Sequence, residues 1–202
     1  AQLANAAAQN INKLFFDGLE SLFTTTHPMA GAGAGQVGAG KNFLDTGLAF
    51  AQGTAAAGTQ DNLITTALSE TSLDNMRQLL RNFRNQQALP MNMGAGGNLC
   101  LVVGPKNERI AKELITSELS GADMQANTFR QYADVVVYPF ADDDDFFLID
   151  REKSPVCVWL GESPTIDVRE SDDGVFVSMV AKYQATFAIK SYSYGIIGAN
   201  VP

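Results

Sequence analysis

The residue pattern with the most obvious chemical promise is Gly35-Gln-Val-Gly-Ala-Gly-Lys41, which has the spacing GxxxxGK of a phosphate loop. Gly33, Gly35 and Gly38 also satisfy GxGxxG. A phosphate loop works when a buried strand delivers it and a helix N-terminus comes next, so that backbone N–H groups and the helix dipole converge on the anion. Here Thr24-Thr25-Thr26-His27-Pro28 precedes the glycines, Asn42 replaces the magnesium-binding Ser or Thr, and Gly47 interrupts the segment beyond Lys41. Gly33–Lys41 reads as a Gly/Ala loop, with a nucleotide-binding domain as the alternative function.

The remaining candidates are weaker. His27, the single histidine, lies before Pro28 with no nucleophile elbow or reactive-cysteine signature to work with, so it reads as a packing or hydrogen-bonding residue. His27, Cys100 and Cys157 form no paired-ligand motif for a metal. Calcium loops alternate their carboxylates around a glycine, whereas Asp142, Asp143, Asp144 and Asp145 are consecutive and read as a solvated turn between strands. Glu113 and Glu118 belong to a charged helix face and make no acid–base pair. Cys100 and Cys157 lie in apolar runs and read as reduced, buried core residues. The search implies no enzyme, no catalytic, cofactor-binding or metal-binding residue and no cofactor.

Composition points the same way. The 202 residues carry 14 Lys+Arg against 22 Asp+Glu, a net charge of −8, which excludes a strong grip on nucleic acid. No apolar run approaches the roughly 20 residues of a membrane helix. A 46% apolar content with 12 Phe excludes general disorder.

The elements that would position any site are legible by period. Leu3, Ala7, Ile11, Leu14 and Leu22 predict a first helix of about twenty residues, closed by Pro28. Residues 29–62 are rich in Gly, Ala and Gln and predict a long loop, most mobile over 30–60, with a short extended piece around Phe43–Leu48. Leu73, Met76, Leu80 and Phe83 predict an amphipathic helix to about Asn85, with Thr71 and Asp74 as its capping box. Asn98–Val103 predicts a buried strand, and Ile110, Leu114 and Ile115 the inner face of a further helix. Short strands come next, broken by Pro139, Asp142–Asp145, Pro155 and Pro164, and Ser171-Asp-Asp-Gly174 predicts the turn of a long closing hairpin. The predicted class is α+β.

The order of these segments resembles the major head subunit family of Mu-like phages. The likeness runs through Phe23 to Pro28, a loop ending in Asn42, Leu68 to Leu73, Leu101 to Pro105, and Ala111, Leu114 and Ile115. It continues through Leu148 to Asp150 and the Tyr-rich segment 188–195. The resemblance implies a Hong Kong 97-type capsid fold with peripheral and axial subdomains. Residues 1–70 would hold the peripheral spine helix and Gly/Ala loop, 71–165 the axial domain, and 166–202 the return hairpin. It further implies a structural, non-enzymatic subunit that self-assembles into capsomers and an icosahedral shell around DNA. Its partners would be copies of itself with portal or scaffold proteins, its place the virion capsid, and its site of assembly the host cytoplasm. Family members carry an N-terminal arm and an extended loop before the long helix. This sequence shows neither and starts at Ala1, so the resemblance implies the core of a larger subunit. A non-capsid protein that shares the α+β core and binds a partner is a third reading.

Overall fold

The computed structural model describes residues 2–25, 41–49, 59–85, 89–120, 125–139, 141, 144–170, 177–189 and 195–201. The chain divides into two compact units, one of residues 1–19 with 156–189 and one of residues 20–155 with 190–202. Helices and strands are mixed in sequence.

The first unit joins helix α1 (Gln2–Ser21) to a ribbon of β9 (Val156–Glu170) and β10 (Val177–Ile189), paired antiparallel. The helix has the predicted length. It stops at Ser21 because Thr24 and Thr25 N–H groups both return to the Ser21 carbonyl. The termination therefore precedes Pro28, which lies outside the described residues. Phe187 on β10 packs its ring 6.1 Å from that of Phe15, and any Cβ at Gly18 would run into Phe187. Glycine here is a requirement of helix-to-ribbon packing.

The ribbon overturns one expectation. Pro164 does not break the strand. Thr165 pairs with Lys182 while Glu162 pairs with Gln184, so Ser163 and Pro164 together oppose Tyr183. The irregularity is a bulge, where a residue lacking an N–H costs no ladder bond. A second slip places the extra Gly161 between the pairs Glu162–Gln184 and Leu160–Ala185. The hairpin strand thus begins at Val156, ten residues before the expected 166. Its expected turn, Ser171–Gly174, lies outside the described residues.

The second unit is built on a five-stranded sheet in the order β3 (Leu63–Ile64), β11 (Ile196–Ala199), β8 (Phe146–Asp150), β4 (Leu99–Val103), β7 (Asp134–Val137). β11 with β3 and β4 with β7 run parallel, and β8 runs antiparallel to both of its neighbours. β4 and β8 are buried at every position, which explains their unbroken apolar runs: both faces are covered. On one face, Leu101, Leu148 and Ile197 share a row through the register and pack with Leu73, Met76 and Leu80 of α2 (Glu70–Asn82). Ala111 and Ile115 of α3 (Glu108–Thr116) join the same core. On the other face, Val102, Phe147 and Gly198 form the adjacent row. There Phe23 stacks on Phe147 at 5.2 Å, and a Cβ on Gly198 would stand 2.5 Å from Leu44.

That second face shows how the extended piece expected around Phe43–Leu48 is anchored. Phe43, Leu44 and Leu48 are fully buried. Leu44 N–H donates to the Leu22 carbonyl, Phe43 N–H to Thr25, and the Asn42 side-chain amide to Phe23. Buried Asn62 fixes the segment again, donating to the Phe43 carbonyl and accepting from Asp45 N–H, while its own carbonyl accepts from Gly198 N–H. The extended piece is β1 (Leu48–Ala49), paired with β2 (Thr59–Gln60), and residues 26–40 and 50–58 lie outside the described set.

α2 is capped otherwise than expected. Ser69 is the N-cap: its Oγ accepts from Ser72 N–H, and Ser72 Oγ accepts from Ser69 N–H, a reciprocal capping box. Asp74 instead pairs along the helix with Arg77 and Gln78. The helix ends at Asn82, three residues earlier than its pattern suggested. α3 turns Ala111 and Ile115 inward, and its outward charges pair as Lys112 with Glu108 and Arg109 with Glu113. A short β5 (Leu119–Ser120) and β6 (Gln125–Ala126) complete the described strands.

Candidate functional site

Among the described residues, those singled out for chemistry lie apart and are structurally engaged. Lys41 Nζ lies 3.5 Å from the Asp45 carboxylate, and His27 and Gly33–Gly40 fall outside the described residues. Asp144 pairs with Lys106, and Asp145 accepts from Val201 N–H, while Asp142 and Asp143 are outside the described set. Glu113 and Glu118 pair with Arg109 and Arg130. Among the described residues no group of three or more His, Cys, Asp or Glu could hold a metal ion, and no helix is long and apolar enough to cross a membrane.

The two cysteines are free thiols, as expected, but only Cys100 is buried. Cys157, on the ribbon, is half-buried. Burial pushes the Cys100 thiol above its ordinary range, against the opposing pull of Arg151. Arg151 also pairs with Asp134 at 2.6 Å. A thiol held neutral in this way is a poor nucleophile.

Asp150, the last residue of the Leu148–Asp150 element, is buried and wholly occupied. Its carboxylate accepts from the N–H groups of Gly94, Glu152 and Lys153, and its own N–H donates to the Gly195 carbonyl. It fastens three loops at one end of the sheet.

The unusual feature of the molecule is a surface. Of the five exposed large apolar side chains among the described residues, four lie on the ribbon: Trp159, Leu160, Val168 and Val180. Trp159, the chain's single tryptophan, is 68% exposed. The register explains why. Val158 pairs with Phe187, whose ring meets α1, so Trp159 and its partner Thr186 point to the opposite face. Farther along, Val168 and Val180 are exposed on alternate faces, since Val180 pairs with Asp167. A two-stranded ribbon is marginal alone. Sequence reading missed this surface, because Trp159 sits in the apolar run VCVWL, which reads as core.

Helices and strands are mixed in this chain, and the exposed large apolar groups among the described residues lie mostly on the ribbon. A family model described as phage capsid protein matches residues 1–198, and the chain belongs to that family. The family is structural. Among curated proteins none matches the chain. Among solved structures, the chain is similar to the virus-like particle from Pyrococcus furiosus, with 14% identity and a TM-score of 0.43. That likeness covers 70% of this chain and 57% of that one. It is also similar to a chain of the satellite phage P4 procapsid that includes the size determination (Sid) protein, with 10% identity and a TM-score of 0.36, covering 69% and 42%. The chain spans about half the length of these two structures.

Proposed function

We propose that this chain is the head subunit of a tailed phage or prophage, assembling into capsomers and an icosahedral shell that encloses DNA. The observation that carries the self-association is the apolar ribbon. Trp159 and its neighbours lie in water in the single chain and would be buried by another subunit, and Trp is the residue type most enriched at binding hot spots. Closed shells form by repeating such contacts under symmetry. In this reading the fold is of the Hong Kong 97 type, α1 and the ribbon serve the peripheral domain, and the sheet with α2 and α3 serves the axial domain. Assembly takes place in the host cytoplasm, with portal or scaffold proteins as further partners. The net charge of −8 suits a wall that contains nucleic acid without gripping it.

Sedimentation velocity over a concentration series of the full chain tests the proposal. Self-association into discrete large species is expected. A monomer at every concentration and salt condition contradicts it.

A further inference from the structure

The sheet of the second unit ends on β7, and nothing among the described residues pairs with the outer side of that strand. Tyr138 N–H donates to the Val103 carbonyl on β4. In a parallel pair the N–H and C=O of a residue point to the same side, alternating along the strand. Asp134, Val136 and Tyr138 therefore turn their backbone groups to β4, and Val135 and Val137 turn theirs outward. The edge reads Asp-Val-Val-Val, with no Lys, Pro or bulge within it to discourage pairing. The opposite edge, β3, offers two residues only.

Beside this edge runs an open groove of about 400 Å³ between α3 and the start of β7. Ile115, Ala133 and Val135 give it an apolar floor, and Lys112, Thr116 and Gln131 stand among its polar walls. An apolar side chain from a strand laid along β7 would have this groove to enter. Backbone donors and acceptors in a row at a sheet edge are complementary to one ligand chemistry, an extended main chain.

We propose that the β7 edge is a docking strand for an extended segment of a second copy of this chain. The inference rests on the capsid-subunit reading, in which copies of the chain are the commonest neighbours. The chain also carries suitable segments: β9 and β10 are 15 and 13 residues long, and among the described residues no third strand joins their sheet. Docking between unlike surfaces is heterologous and closes into a ring when the rotation allows.

Amide hydrogen exchange on the full chain, dilute and associated, tests the proposal. The Val135 and Val137 amides slow at least tenfold on association, whereas Val136, already turned to β4, changes much less. Val135→Pro removes one outward donor and weakens association at least tenfold, with circular dichroism unchanged. If that variant unfolds, exchange in the wild-type chain still decides. Associated species whose Val135 and Val137 amides exchange as fast as in the monomer overturn the docking strand and leave the capsid reading standing. A chain that never associates overturns both. Protection of these amides by an unrelated extended peptide, but not by self-association, overturns the second copy as occupant.

Discussion

Replacing Trp159 by Thr separates a contact residue from a folding residue. An aromatic side chain offers up to about 250 Å²; with 68% exposed, roughly 170 Å² remains for a partner to cover. At about 25 cal/mol per Å² that burial is worth up to about 4 kcal/mol. Ordering the side chain on association takes back about 0.5–1.5 kcal/mol. The balance, roughly 3 kcal/mol, corresponds to a loss on the order of 100-fold in the affinity of each contact. Thr retains β propensity and faces Thr186 across the ladder, a favourable pair. Monomer stability should therefore stay within about 0.5 kcal/mol, as for other exposed sites. The assay pairs sedimentation with thermal unfolding of the dilute chain, and tryptophan emission of the wild type provides a second reading, moving to shorter wavelength as the indole is covered. A variant that associates as well as the wild type, or that loses several kcal/mol of monomer stability, refutes Trp159 as a contact residue.

The other predictions concern the frame. Gly195 is buried at φ +83°, and a Cβ there would stand 2.6 Å from the Lys153 carbonyl oxygen. Gly195→Ala should combine left-handed strain of about 1–2 kcal/mol with an overpacking cost of about 1–3 kcal/mol, lowering Tm by roughly 5–15 °C; Gly97→Ala, at φ +76° with open space, should show the strain alone. Ser69→Ala should cost about 1 kcal/mol through the lost cap, while Thr71→Ala stays near neutral; equal losses from both in denaturant titration would contradict the cap assignment. Burial raises Cys100 above its ordinary 9.0, and burial, opposed by Arg81 and Arg77, raises Tyr132 above its ordinary 10.0. Folding favours the neutral form of both, so their contribution is fully present below about pH 9 and is lost as pH rises through the folded values. Unfolding midpoints against pH should fall above pH 9 and fall less steeply in Cys100→Ala.

Much of the frame was legible because it is local. The steps of three and four in α2 and α3, and the continuous apolar runs of β4 and β8, identify their elements without any distant partner. The failures are of two kinds. Thr71 with Asp74 has the spacing of a capping box, but the reciprocal bonds between Ser69 and buried Ser72 start the helix two residues earlier. Pro164, the anchoring of Phe43 and Leu44 under Asn62, and the pairing of β3 with β11 depend on segments far apart in sequence, which periodicity cannot register. Trp159 belongs to the same kind. Its run predicts a core strand, and its exposure comes from the pairing of Val158 with Phe187, which turns Trp159 to the face opposite α1.

Electron microscopy of the concentrated chain tests the proposed self-association most directly. Rings or closed shells of uniform size are expected, and they should be lost in Trp159→Thr. Dispersed single chains at every concentration, from protein that sediments as a folded monomer, would contradict it.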